Sequence, residues 1–194
     1  MSTKRELSIG CVVMAAGLSS RFGRNKLLAE FRGRSLLSRA LDAVPVERLS
    51  KVVVVTSCPE IRAQAETGGW TTVWNDRPED GISLTIRLGL QAIRDTDAAV
   101  FMVCDQPKLT RASVSAMVDC YLDNPDRIVS LACGDARGNP CVFPSAFYPE
   151  LCALTGDTGG ITVISRHEDA LLLFEITDAS ELMDIDTVSD LYDV

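Results

Sequence analysis

Three stretches of this chain are apolar at nearly every consecutive position, and that pattern leaves few folds open. Ile9 to Met14 reads IGCVVM, Lys51 to Thr56 holds four valines in a row, and Ala98 to Val103 reads AAVFMV. A strand with one wet face alternates apolar and polar residues. A continuous β-branched run has both faces covered, as in a parallel sheet between two layers of helix. Helical spacing fills the intervals. Ser35 to Val44 puts Leu36, Leu37, Ala40, Leu41 and Val44 on one face. Pro59 to Thr67 predicts a helix stopped by Gly68–Gly69. Ile82, Ile86, Leu90 and Ile93 share a face, and Thr110 is placed to cap a helix carrying Val114, Met117, Val118, Tyr121 and Leu122. Further strands are expected at Thr71–Trp74 (near an edge), Arg127–Ala132, Cys141–Phe143 and Ala170–Ile176. Helices are expected over Ser145–Leu154, near Thr162–Arg166, and from Thr187 to Val194. Strands alternating with helices give an α/β class with a doubly wound, mostly parallel sheet. The 194 residues suggest one domain, 1–194, with room for a real core.

Charge and cysteine usage narrow the function. A net charge of −8 argues against a nucleic-acid or anionic-membrane partner, while leaving anionic small substrates open. The seven cysteines are odd in number and contain no CxxC, so they read mostly as small buried hydrophobes rather than a disulfide framework or zinc site. The polar start MSTKRELSIGC is not a signal peptide, and no apolar run reaches about 18 residues, so a cytoplasmic location is expected.

Against that acidic background, Val12 to Lys26 (VVMAAGLSSRFGRNK) stands out. A buried strand runs into Ala15, Ala16, Gly17, Ser19, Ser20 and Gly23, then Arg21, Arg24 and Lys26, with no acidic residue between Glu6 and Glu30. Small residues let backbone N–H groups approach a phosphate. The segment lacks GxxxxGK[ST] and GxGxxG, so neither a P-loop nor the dinucleotide fingerprint is present. It reads either as a triphosphate loop or as a solvated turn with surface cations. Asp105 follows a buried strand at the sheet edge where α/β ligands bind, in VCDQP.

AAGLSSRFGRNK resembles the signature A-[AG]-G-x-[SG]-x-R-[MF]-G…K of nucleotidyltransferases that act on sugar phosphates, isoprenoid precursors or molybdopterin. Along nearly the whole chain, the order of elements resembles the molybdenum cofactor cytidylyltransferases, within the MobA-like NTP transferase superfamily. That resemblance implies a three-layer α/β/α Rossmann-like nucleotidyltransferase fold. It implies a nucleotide-binding half over about residues 1–110 and an acceptor-binding half over about 111–194. It implies Mg²⁺ held by Asp105 and Asp186, the latter in MDIDT with Asp184 a weaker candidate, and a catalytic trio of Arg21, Lys26 and Asp105. Ala15, Ala16, Gly17, Ser19 and Ser20, with Asn75, Gly81 and Ser83 of NDRPEDGIS, are expected at the nucleotide. The start of the helix at Gly81–Ser83 is a further anion site by its free N–H groups. Arg137 and Asn139 of GDARGNP, and Asp157 and Gly159 of GDTGG, are expected at the acceptor. Ala15–Ala16–Gly17 resembles the CTP users, where guanylyl-transferring relatives tend towards AGG. The implied partners are CTP and molybdopterin, and a molybdenum hydroxylase apoenzyme or its chaperone. The departures are Cys104 for Gly, Asn139 for His and Ile161 for Arg. They keep open a GTP-dependent or other-acceptor transferase, and a nucleotide-binding chaperone without turnover. His167 and the tryptophans Trp70 and Trp74 read as surface and packing residues respectively.

Overall fold

Why the apolar runs are continuous is visible in the sheet. The computed structural model describes residues 6–18, 22 and 25–192. The expected site residues Ser19, Ser20 and Arg21, with Gly23 and Arg24, lie outside the described residues. Nine strands are described: β1 (Ile9–Ala15), β2 (Glu30–Phe31), β3 (Arg34–Ser35), β4 (Lys51–Thr56), β5 (Thr71–Trp74), β6 (Ala98–Val103), β7 (Ile128–Cys133), β8 (Ala136–Pro144) and β9 (Leu171–Glu175). Six helices join them: α1 (Leu36–Asp42), α2 (Pro59–Thr67), α3 (Ile82–Ala92), α4 (Arg111–Asp123), α5 (Tyr148–Cys152) and α6 (Ile161–Ile164). The main sheet has seven strands in the order β5-β4-β1-β6-β8-β7-β9. Every neighbour pair is parallel except β6–β8 and β7–β8, so β8 alone is reversed.

Side chains of β1 alternate between the two faces, as a pleated strand requires. Cys11, Val13 and Ala15 join one core with Leu37, Leu41, Ile61, Val114, Met117 and Tyr121, on α1, α2 and α4. Val12 joins the other with Ile86, Leu90, Leu151 and Val163, on α3, α5 and α6. Both faces are dry, so polar alternation is absent from the sequence. Helix α3 lies close on β1: a Cβ at Gly89 would stand 2.4 Å from Val12 Cγ1. A third, small cluster joins Phe22, Ala29, Phe31, Leu36 and Ile185, tying the segment after β1 to the chain's C-terminal region.

The cap at Thr110 forms as read, its side chain accepting from Ser113 N–H, and the structure adds a second at Ser35, which accepts from Ser38 N–H. Several readings are corrected. Cys141–Phe143 is only part of the nine-residue β8, and GDARGNP is mostly strand, leaving Gly134–Asp135 as the turn to β7. Its composition looks like a loop. A register shift at Ser130/Leu131 and a bond from Ser130 Oγ to Gly138 O (2.8 Å) accommodate it. The β2–β3 hairpin was not expected, and its turn needs positive φ at Arg32 and Gly33. The closing helix reduces to one 3₁₀ turn, Ser189–Leu191. Of the cysteines, only Cys11, Cys104 and Cys141 are fully buried, and all seven are free. Burial pushes the Cys11 thiol to about 12 and Cys141 to about 11. Among the described residues no helix is long and apolar enough to cross a membrane.

Candidate active site

Because six of the seven strands run one way, their C-terminal ends line one edge of the sheet, and the start of reversed β8 joins them there. Two adjoining clefts open at this edge, sharing Met14 and Ile82 as a common wall. The larger, about 500 Å³, is lined by Ala16, Gly17 and Leu18 after β1, by Lys26, and by Cys104 and Asp105 after β6. Pro78, Glu79, Gly81, Thr85 and Asp157 complete it. The smaller, about 220 Å³, has an apolar floor of Ile86, Phe101, Phe143, Leu151 and Ile164, with Arg137 and Asn139 as polar groups.

Lys26 and Asp105 meet across the larger cleft. Lys26 Nζ donates to Asp105 Oδ2 at 2.8 Å and lies 3.5 Å from Asp186 Oδ1. Each partner is held by backbone structure. Lys26 opens a 3₁₀ turn capped by Asn25, whose Oδ1 accepts Leu27 N–H (3.1 Å), and Leu27 is buried. Asp105 accepts Ile185 N–H at its carbonyl (2.9 Å), which ties the MDIDT segment to the end of β6. Ile185 is fully buried in the third cluster, so Asp184 and Asp186 project from a fixed point. Asp190 gathers the following turn, accepting from Asp186 N, Thr187 N and Thr187 Oγ1. Partial burial, then neighbouring Asp105, raises the Asp184 carboxyl above the ordinary range, opposed by a hydrogen bond from Gln106.

The nucleotide-loop residues divide. Ala15 ends β1 with its side chain in the core, while Ala16 and Gly17 face the cleft. Asn75 is 0 % exposed, so it meets no ligand from the surface; its Nδ2 donates to Thr85 Oγ1 (3.2 Å) while its Oδ1 accepts Arg77 N–H. Thr85, which lines the cleft, is thus the group that Asn75 positions, and sequence reading missed it because a threonine inside a helix carries no signal. Ser83 is 1 % exposed and its hydroxyl has no partner. At this helix start, expected as an anion site, Ser83 N–H donates to Gly156 O and Leu84 N–H to Gly81 O (both 3.3 Å).

The bond from Ser83 to Gly156 has a steric counterpart. Gly81 has φ +85°, and a Cβ there would lie 2.4 Å from the Gly156 carbonyl carbon and oxygen. The second glycine-rich turn therefore packs on the first helix of the site. It divides the clefts: Asp157, expected at the acceptor, lines the larger cleft, whereas Gly159 lines the smaller with Arg137 and Asn139. Arg137 is paired with Glu168 at 3.0 Å. Ile161 is exposed at the rim of the same cleft, and Cys104 is buried with its thiol pushed far up by burial. His167 is half-buried, bonded to Glu150 at 2.7 Å against Phe147, and not a bare surface group. Trp74 is exposed beneath the Arg62 guanidinium, and Trp70 packs on the core.

A cleft at the carboxyl edge of a mostly parallel sheet, with a small-residue loop, a lysine and carboxylates, is the place where nucleotide-binding α/β proteins take their ligand. The chain belongs to the MobA-like NTP transferase domain family, which matches residues 11–171. It is a nucleotidyltransferase. Among relatives it is 28% identical over 195 residues to the purine catabolism protein PucB of Bacillus subtilis, covering 94% of this chain and 93% of that one. It is 25% identical over 143 residues to a probable molybdenum cofactor guanylyltransferase of the same organism, covering 72% and 69%. The Rv0371c protein of Mycobacterium tuberculosis, solved in complex with manganese, superposes with a TM-score of 0.76 at 21% identity over 96% of both chains.

Proposed function

We propose that the chain is a divalent-metal-dependent cytidylyltransferase that joins CTP to molybdopterin, giving molybdopterin cytosine dinucleotide and pyrophosphate. The observation that carries this reading is the Lys26–Asp105 pair across a cleft large enough for a nucleotide, beside a second pocket for an acceptor. The nucleotide half, about residues 1–110, supplies the first apart from Asp157; the remainder supplies most of the second. The product serves a molybdenum hydroxylase apoenzyme or its chaperone.

Asp105 and Asp186 suit a magnesium-type ion: two hard carboxylates converge on one point, and such ions are commonly held by one or two carboxylates plus substrate phosphates. Among the described residues no group of three or more His, Cys, Asp or Glu is placed to hold a metal ion, so the protein donors proposed here are two. When bound, the ion would neutralise phosphate charge. The remaining chemistry belongs to the chain. An acceptor phosphate oxygen attacks the α-phosphorus in line, the new P–O bond forms as the bond to the β-phosphate breaks, and pyrophosphate leaves. The acceptor is already ionised near neutrality, so no general base is needed. Lys26 and Arg21 would meet the triphosphate and the leaving group, and Ala16 and Gly17 admit it close to backbone. Arg137 and Asn139 orient the acceptor, whose fused ring lies on the apolar floor.

The homology to a guanylyltransferase favours one second reading, GTP in place of CTP. Pyrophosphate release measured with molybdopterin and each of the four ribonucleoside triphosphates decides between them. CTP turnover alone is expected. GTP turnover without CTP turnover overturns the choice of base, and release from no triphosphate overturns the reading.

A further inference from the structure

In this structure the groups that would hold a metal and the group that would hold a triphosphate satisfy each other. Lys26 Nζ is 2.8 Å from Asp105 Oδ2 and 3.5 Å from Asp186 Oδ1, and the lysine side chain is only 14 % exposed. The ammonium contacts the same two carboxylates that would hold a divalent ion, and the two cations repel. Asp186 is 63 % exposed and open to water, whereas Asp105 is 26 % exposed, so withdrawing the lysine without a substitute would cost mainly at Asp105. Asp184 adds a third acidic group that interacts with Asp105, Asp186 and Lys26.

The lysine is built to leave without disturbing its surroundings. Its backbone is fixed, since Asn25 caps the turn, Ala29 N–H donates to Lys26 O (3.0 Å) and Leu27 is buried. Only the flexible four-carbon stem needs to turn. Ala16, Gly17 and Leu18, on the loop where the triphosphate is expected, line the same cleft. A triphosphate there offers Lys26 more negative charge than the two carboxylates do.

We propose that Lys26 is an exchangeable counter-ion. In the nucleotide-free enzyme it neutralises Asp105 and Asp186 and excludes the divalent ion. An arriving triphosphate draws the ammonium away, and the metal takes its place. Metal and nucleotide then bind interdependently, each raising the affinity of the other by one factor. The proposal rests on the nucleotidyltransferase assignment and is indifferent to the choice between CTP and GTP.

Manganese binding to the full-length, nucleotide-free protein tests it, with free Mn²⁺ followed by electron paramagnetic resonance. Wild type should bind Mn²⁺ weakly. Lys26→Met should bind it tighter by about tenfold or more, the scale of ordinary coupling between sites. Lys26→Arg, which keeps the charge, should bind as weakly as wild type, and adding Asp105→Asn to Lys26→Met should remove the gain. Lys26→Gln provides a second neutral variant should Lys26→Met fold poorly by circular dichroism. Unchanged or weaker Mn²⁺ binding in the neutral variants overturns the proposal. A wild type that turns over no triphosphate defeats the functional reading while leaving this comparison readable.

Discussion

Asp105 stands where β6 stops, and among the described residues its carboxylate has one charged partner at hydrogen-bond distance, Lys26. Asp105→Asn preserves the shape and removes the charge. It should lower turnover by about 10²-fold or more, the usual cost of removing one group aimed at transition-state charge, read as pyrophosphate release at saturating triphosphate. Gly81 supports the site sterically. Gly81→Ala meets backbone at 2.4 Å with φ at +85°, so it should destabilise by about 1–3 kcal/mol in urea unfolding and raise the KM for triphosphate. The two groups also differ in how well they can be read from sequence. Asp105 is legible because a carboxylate after an apolar run has a known place in α/β sheets. Thr85, Phe22 and Ile185 are not. One is a hydroxyl within a helix, and the others are apolar residues whose partners lie far along the chain, so no local pattern marks them. Asp157 was legible as a site residue but not as part of the larger cleft, because the packing of Gly156 on Gly81 decides its side.

At the scale of elements, α3 is the piece on which both clefts lean. Its approach to β1 depends on Gly89, and Gly89→Ala would force Val12 to shift. About 1–3 kcal/mol of stability should be lost in denaturant titration, as in other overpacked cores. At the sheet's edge, α2 is fastened to β5 through Glu66, which accepts from Arg62 Nε (2.8 Å) and Thr72 Oγ1 (2.7 Å). Those two bonds hold the Glu66 carboxyl below its ordinary range. A lowered carboxylate adds stability above its unfolded pKa and loses it as the pH falls through the lowered value. Glu66→Gln should therefore melt slightly below wild type at about pH 7, and the gap should close in acid. The elements were legible wherever periodicity was long, as in α1, α3 and α4. They were obscured in β8, where Arg, Gly, Asn and Pro disguise a strand that pairs with β7 along its first residues and with β6 from Cys141 on.

Across the whole molecule, three clusters divide the labour: two cores clamp the sheet, and the third joins the two ends of the sequence beside Lys26 and Asp186. A ligand that binds only this assembled state stabilises all of it. A triphosphate with divalent metal at 100 times its dissociation constant should add about 2.7 kcal/mol, which for a chain of this size raises the melting temperature by roughly 5–10 °C. Differential scanning fluorimetry checks this, and Asp105→Asn should abolish most of the rise. The reversed strand β8 sets how this architecture is able to change. Its first residues carry Arg137, paired with Ala132 of β7, so this wall of the smaller cleft inherits the rigidity of a hydrogen-bonded ladder rather than the freedom of a loop. The ladder closes at Gly134–Asp135, out in solvent, where the hairpin can lengthen or shorten without moving β1 or β6. Change in the length of that tip therefore leaves the cleft that holds Lys26 and Asp105 as it was.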